Sequence, residues 1–216
     1  MYSRKIKYPR TPHLPWSPGF THDDVRNKTV NQFNGKHVVV TEKMDGENTT
    51  MYANCIHARS VDSRHHASRD WVKALHARVG HGIPKGWRLC GENVFAKHSI
   101  YYEQLSSYFF MFSMWDEGNT CLHWDETKEW AELLGLCMPK ELYIGKWDSE
   151  WFKDHDVDMA VSEGYVVRLV DSFDFGMFDR SVAKWVRPSH VSTDKHWMHA
   201  EVVPNKLCRR DKGENK

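Results

Sequence analysis

Lys43-Met44-Asp45-Gly46, with Glu42 before it and Asn48 after it, sets an amine at the end of the β-branched run Val38-Val39-Val40-Thr41 and directly before a sharp turn. A lysine so presented attacks phosphorus when its amine is neutral, which burial and neighbouring cations favour, and when a rigid junction holds it in line. Alone, K-x-D-G is equally a hairpin turn with a solvated lysine. Five further clusters follow it in order: Arg59 in Ala-Arg-Ser, Gly91-Glu92-Asn93 after an apolar run, and Phe112 within Phe-Phe-Met-Phe-Ser; then Glu163-Gly164-Tyr165-Val166-Val167 and Ala183-Lys184-Trp185-Val186-Arg187. Lys184, Arg59 and Arg187 are cations suited to a phosphoryl-transfer transition state, and Lys184 would lower the pKa of Lys43 if the two face each other. Each has an ordinary reading too. Glu92 and Glu163 are also strand-end charges, Phe112 a core ring, and Arg64 or Arg69 stands close enough to replace Arg59 as a phosphate contact.

The elements that must position these residues are legible from local pattern. Val38 to Glu42 reads as a strand, Asp45-Gly46 as a turn and Thr49 to Ala53 as the returning strand. Apolar positions 71, 72, 75 and 79 predict a helix over 69–79, closed by Gly80 and Gly82. Strands are expected at 87–94, 108–115, 120–124, 141–144, 164–170 and 182–186, with a helix capped by Asp125 and stopped at Gly135, and another over 149–159. Strands interrupted irregularly by a few helices predict an α+β fold with mainly antiparallel sheets.

Composition bounds the answer. The 216 residues suffice for one main domain, and 40% hydrophobic with 27% charged residues excludes a disordered chain. Thirty Lys+Arg against 29 Asp+Glu leave a formal charge of +1, so affinity for nucleic acid must come from a local basic surface. Five scattered cysteines without a C-x-x-C pair argue against a disulfide framework or a cysteine zinc site, and His57, His65 and His66 are adjacent by chance among 14 histidines. No run is long and apolar enough for a membrane span or a signal core, so no membrane partner and a soluble, cytoplasmic (intracellular) protein are expected. Asp174-Phe175-Gly176 spells a kinase motif, but no H-R-D or G-x-G-x-x-G accompanies it, and no P-loop is present.

The order and spacing of K-x-D-G, G-E, E-G-x-V-V and the basic strand at 183–187 resemble the covalent nucleotidyltransferase superfamily of ATP-dependent polynucleotide ligases and capping enzymes, most closely the small RNA ligases, over Tyr8 to Arg187. The resemblance implies a ligase adenylation domain over 31–200, preceded by a proline-rich arm over 1–30 and followed by a charged tail over 201–216. It implies that Lys43 takes AMP from ATP as a phosphoramidate, that Lys184 assists as a catalytic cation, and that Mg²⁺ or Mn²⁺ is linked to Glu163. Glu92 would accept from a ribose hydroxyl, Phe112 stack on adenine, Glu42 lie beside the base, and Asn48, Arg59 and Arg187 near the phosphates. The expected partner is RNA, at nicked duplex or RNA/DNA hybrid ends, with a monomer as the default state and a protein partner as a possible source of substrate contacts. The rival readings are a DNA ligase, a capping guanylyltransferase, and an end-binding module without turnover.

Departures from the family pattern are visible. Ser113 stands where relatives often carry an acid after the stacking ring, Arg187 lies three residues after Lys184, and 29 residues after Arg187 are too few for an appended OB or helical domain. The arm, with Arg10 and His13, is read either as touching the nucleic acid or shielding the site in place of that domain, or as a structural wrap over the sheet. The stretch from Val191 to His199 interleaves basic and aromatic residues and is read either as a stacking surface or as a sheet edge.

Overall fold

The computed structural model describes residues 5–22, 24–154, 157–188 and 201–208; the stretch from Val191 to His199 lies outside them. Among the described residues ten strands form two sheets, every strand pairing antiparallel. The first has the order β10 (Val182–Val186), β8 (Gly164–Leu169), β1 (His37–Glu42), β7 (Glu141–Lys146). The second runs β3 (Ile56–Ala58), β2 (Glu47–Tyr52), β4 (Arg88–Asn93), β5 (Phe109–Trp115), β6 (Thr120–Cys121), β9 (Phe173–Asp174). Helices α1 (Asp70–Val79), α2 (Trp124–Leu133), α3 (Ser149–Asp154) and α4 (Phe178–Ser181) accompany them, so the fold is α+β.

The consecutive valines of β1 are all wholly buried because this strand is central and covered on both faces. Val38 and Val40 pack with Leu14, Phe33, Tyr165 and Phe152 in one core, while Met51, Leu89, Phe109 and Met111 meet Val72 and Leu75 of α1 in another. Each such side chain contributes roughly 1.5–3 kcal/mol of burial.

Four expectations are corrected. Asp45-Gly46 is no hairpin turn: β1 pairs with β7 and β8, β2 pairs with β3 and β4, and the K-x-D-G segment carries the chain from one sheet to the other. Helix α2 is capped by His123, whose ring accepts from Asp125 N while Glu126 closes a capping box, and Trp124 already belongs to the helix instead of a strand. Helix α3 ends its described span at Asp154 and residues 159–161 form a turn. The supposed tail is partly built in, since Pro204 bridges Ala96, Leu207 bridges Leu105, and Asn205 is 1% exposed.

Candidate active site

The lysine of K-x-D-G is held at the crossing between the sheets. Lys43 N donates to Gly164 O at 2.9 Å, so the two glycine-containing motifs lock together. A Cβ on Gly46 would lie 2.4 Å from Asn93 O, and one on Gly164, at φ +148°, would lie 2.1 Å from Trp185 O. Close backbone approach, and at Gly164 also the left-handed dihedral, therefore demands glycine at these two places. Asp45 is a scaffold: its Oδ2 accepts from Ser99 N (2.7 Å), Ser99 Oγ (2.8 Å) and Ile100 N (2.8 Å), and its own N–H donates to the Tyr102 hydroxyl at 3.0 Å. Tyr102 N in turn donates to Asn205 Oδ1 at 2.9 Å, and Asn205 Nδ2 donates to Val94 O at 2.8 Å.

Around the lysine lies a cleft of about 190 Å³ between the sheets. Glu42, Lys43, Asn48, Arg59, Glu92, Phe112 and Lys184 all line it, drawn from β1, β2, the end of β3, β4, β5 and β10. Glu163, at the start of β8, reaches the site through an ion pair with Lys43 Nζ. Arg187 does not line the cleft: its guanidinium donates to Met159 O (2.7 Å) and Ser99 Oγ (3.2 Å), and its backbone N–H to Glu163 O at 2.9 Å. Phe112 enters by a bulge. Cys90 pairs with Ser113 and Gly91 with Met111, so Phe112 is the extra residue of β5, and its ring meets Tyr8 edge-on at 5.4 Å.

The electrostatics correct the expectation of a neutral lysine among cations. Burial pulls the Lys43 amine down, but Glu163 and then Glu92 outweigh it and hold the amine above its ordinary value, hence protonated in the nucleotide-free protein. Burial pushes the Glu92 carboxyl up to about 8, with Lys43 opposing and Glu163 reinforcing. Lys184 is the depressed amine, by burial first and by repulsion from Lys43 second; its Nζ stands 3.7 Å from Asp24 Oδ1. Burial also raises Glu42, against the pull of Lys140.

Three buried polar atoms on the cleft's lining residues have no hydrogen-bond partner among the described residues: Asn48 Oδ1, Arg59 Nε and Arg168 Nη1. Orphaned groups of this kind call for a ligand with matching donors and acceptors. With cations, carboxylates and an aromatic wall around them, they fit a nucleoside phosphate. Among the described residues no group of three His, Cys, Asp or Glu side chains converges to hold a metal by itself. Glu163 and Glu92 beside Lys43 still fit a hard divalent cation of the kind that takes one or two carboxylates and completes its shell with substrate phosphates and water.

The arm residues that reach the cleft and one arginine were not singled out in the sequence. Tyr8, Pro9 and Thr11 bring the N-terminal segment into the cleft wall. Arg168, 5% exposed, lies over Trp124 (5.2 Å) and Phe173 (5.4 Å) and donates to Leu122 O at 2.8 Å. An arginine inside the apolar strand Gly164–Leu169 was the available signal for it.

No helix is long and apolar enough to cross a membrane among the described residues. No curated protein matches the chain in sequence. In structure it is similar to a Naegleria gruberi RNA ligase solved with PPi (TM-score 0.54, 20% identity, covering 73% of this chain and 51% of that one). It is also similar to a mutant of the Naegleria gruberi RNA ligase solved with ATP and Mn (TM-score 0.52, 16% identity, 73% and 51%) and to an archaeal ATP-dependent RNA ligase (TM-score 0.54, 16% identity, 85% and 48%). The chain thus spans about half the length of these proteins. The family model described as RNA ligase matches residues 36–186.

Proposed function

Because this chain belongs to the RNA ligase family, we propose that it is an ATP-dependent RNA ligase that joins a 3′-hydroxyl to a 5′-phosphate through a lysyl-AMP on Lys43. The observation that carries the reading is the placement of Lys43 at the sheet crossing, paired with Glu163 and facing a cleft whose lining includes the orphaned Asn48 and Arg59 groups.

In the first step the Lys43 amine, its proton passed to a carboxylate such as Glu163, attacks the α-phosphorus of ATP. A P–N bond forms and the bond to pyrophosphate breaks, the leaving oxygen keeping the electron pair. An oxygen of the RNA 5′-phosphate then attacks that phosphorus; the P–N bond breaks and the amine recovers its proton. Finally the 3′-hydroxyl attacks the 5′-phosphorus, gives its proton to a base, and AMP leaves. Lys184 and Arg59 supply positive charge to the crowded phosphate oxygens. Phe112 offers a ring face to the base, and Glu92, protonated near neutral pH, can donate to as well as accept from a ribose hydroxyl. Mg²⁺ or Mn²⁺ held by Glu163 would add positive charge at the phosphates.

Incubation with α-labelled ATP and Mg²⁺ or Mn²⁺, followed by denaturing electrophoresis, tests the reading. A labelled band is expected in the native chain and none in Lys43→Ala; absence of a band in the native chain would leave an end-binding module. Labelling by GTP in place of ATP would point to capping chemistry, and sealing of nicked DNA in preference to nicked RNA would point to a DNA ligase.

A further inference from the structure

The loop after β3 begins at Arg59 in the cleft and ends at Arg69, just before α1. Beneath it opens a second cavity of about 190 Å³, lined among others by Ser63, Arg64, His65, Arg69 and Lys73, with no carboxylate in its lining. Thr49 lines this cavity while Asn48 lines the cleft, and successive strand residues face opposite sides of a sheet, so the two cavities stand back to back across β2. Arg69 fixes the floor: its Nε donates to Glu47 Oε2 at 2.7 Å, tying the cavity to the strand that leaves the lysine turn.

The groups facing the cavity are donors. Lys73 Nζ lies 2.6 Å from His65 Nδ1, and an ammonium only donates, so the neutral ring carries its hydrogen on Nε2 and presents an N–H. Two acids offset part of the charge, Glu47 on Arg69 and Asp70 at 3.8 Å from Lys73. Arg64 has no ion-pair partner among the described residues. Three cations against two flanking carboxylates leave a positively charged cup of N–H and O–H donors. Oxygen acceptors with negative charge suit it, since the two flanking carboxylates stand behind lining residues, Glu47 on Arg69 and Asp70 beside Lys73 and His65, and neither lines the cavity itself.

We propose that this cavity is a subsite for a backbone phosphodiester of the RNA strand whose end enters the cleft, with Arg64, Lys73 and His65 as its contacts. The proposal rests on the RNA ligase reading of the main cleft and gives that reading a second anchoring point. Arg59 lines the cleft while Arg64 and Lys73 line this cavity, all within residues 59–73 beside edge strand β3, so cations stand on both sides of the sheet, which favours a polyanion that reaches both over a small free anion that needs only one.

The test uses a fluorescein-labelled, 5′-phosphorylated oligoribonucleotide and the full chain carrying Arg64→Ala and Lys73→Ala together; the two side chains are at the surface, and thermal denaturation checks that the fold is kept. Anisotropy titrations are expected to show RNA affinity falling about tenfold at low salt, and the slope of log affinity against log salt becoming shallower by roughly one. Lysyl-AMP formation is expected to stay at the native level, and Arg64→Lys to retain most of the affinity. Unchanged affinity and slope in the folded double variant would overturn the proposal, and so would an equal loss of lysyl-AMP formation, which would assign the cations to the nucleotide. Failure of the native chain to form lysyl-AMP at all would instead sink the ligase reading, while the RNA titration would still report on this cavity.

Discussion

At the residue scale the site is a contest between burial and charge at Lys43. Glu163 is the largest of the carboxylate influences, ahead of Glu92 and Asp45, that hold the amine protonated against burial, so Glu163→Gln lowers its pKa. The check is metal-free and nucleotide-free: the pH at which Lys43 becomes half-reactive toward an amine-specific reagent, followed by mass spectrometry of the peptide, should fall. A second expectation concerns Glu92. Its folded carboxyl, at about 8, binds a proton that the unfolded chain releases near its ordinary value, so its contribution to stability declines as pH rises between those limits and levels off above 8. Glu92→Gln should therefore gain in melting temperature relative to the native chain at pH 9, gain less at pH 6, and lose the advantage only near the ordinary carboxylate value of 4.5. Residue identities were the most legible part of the site: Glu42, Lys43, Asn48, Arg59, Glu92, Phe112 and Lys184 could be picked out because short motifs preserve type and order. The protonation state was not legible, because it depends on Glu163, 120 positions after Lys43 and just ahead of β8.

At the element scale, the glycine turn and the bulge set the geometry. Gly46→Ala drives a methyl group into the Asn93 carbonyl, with Val94 Cγ1 at 2.9 Å leaving no room to slide. The expected cost is about 1–3 kcal/mol in denaturant unfolding, together with a loss of lysyl-AMP formation larger than the fraction unfolded explains. Strand positions were legible because β-branched runs and turn residues act locally, and helix α1 because its apolar spacing is regular. Pairing was not. Nothing in Val38 to Tyr52 tells that the two strands flanking K-x-D-G part into different sheets, and the extra residue at Phe112 exists only relative to its partners Cys90 and Gly91. Arg168 was missed for a related reason: in one dimension it is a single charge in an apolar run, and only packing over Trp124 and Phe173 shows it to be buried.

At the scale of the whole molecule, the two sheets face each other across the cleft, the N-terminal segment closes one wall with Tyr8, and the 201–208 segment returns to brace the lysine turn. Asn205→Ala removes the acceptor of Tyr102 N, part-buried, and the donor to Val94 O, buried, at about 1–3 kcal/mol per group left orphaned. Since Tyr102 in turn holds Asp45, lysyl-AMP formation should slow several-fold with little change in far-ultraviolet circular dichroism; equal kinetics in the two proteins would show the brace to be dispensable. The basic entry and exit segments gave no such hint in sequence, as a lone asparagine has no pattern to recognise.

That brace also bears on how the protein is made. A ribosome releases residue 205 after the last strand of either sheet, so a nascent chain that has not reached it holds the Lys43 segment without the peg that seats Asp45. A chain cut before Asn205 would carry that segment unbraced, and its ordering would wait on the emergence of residue 205.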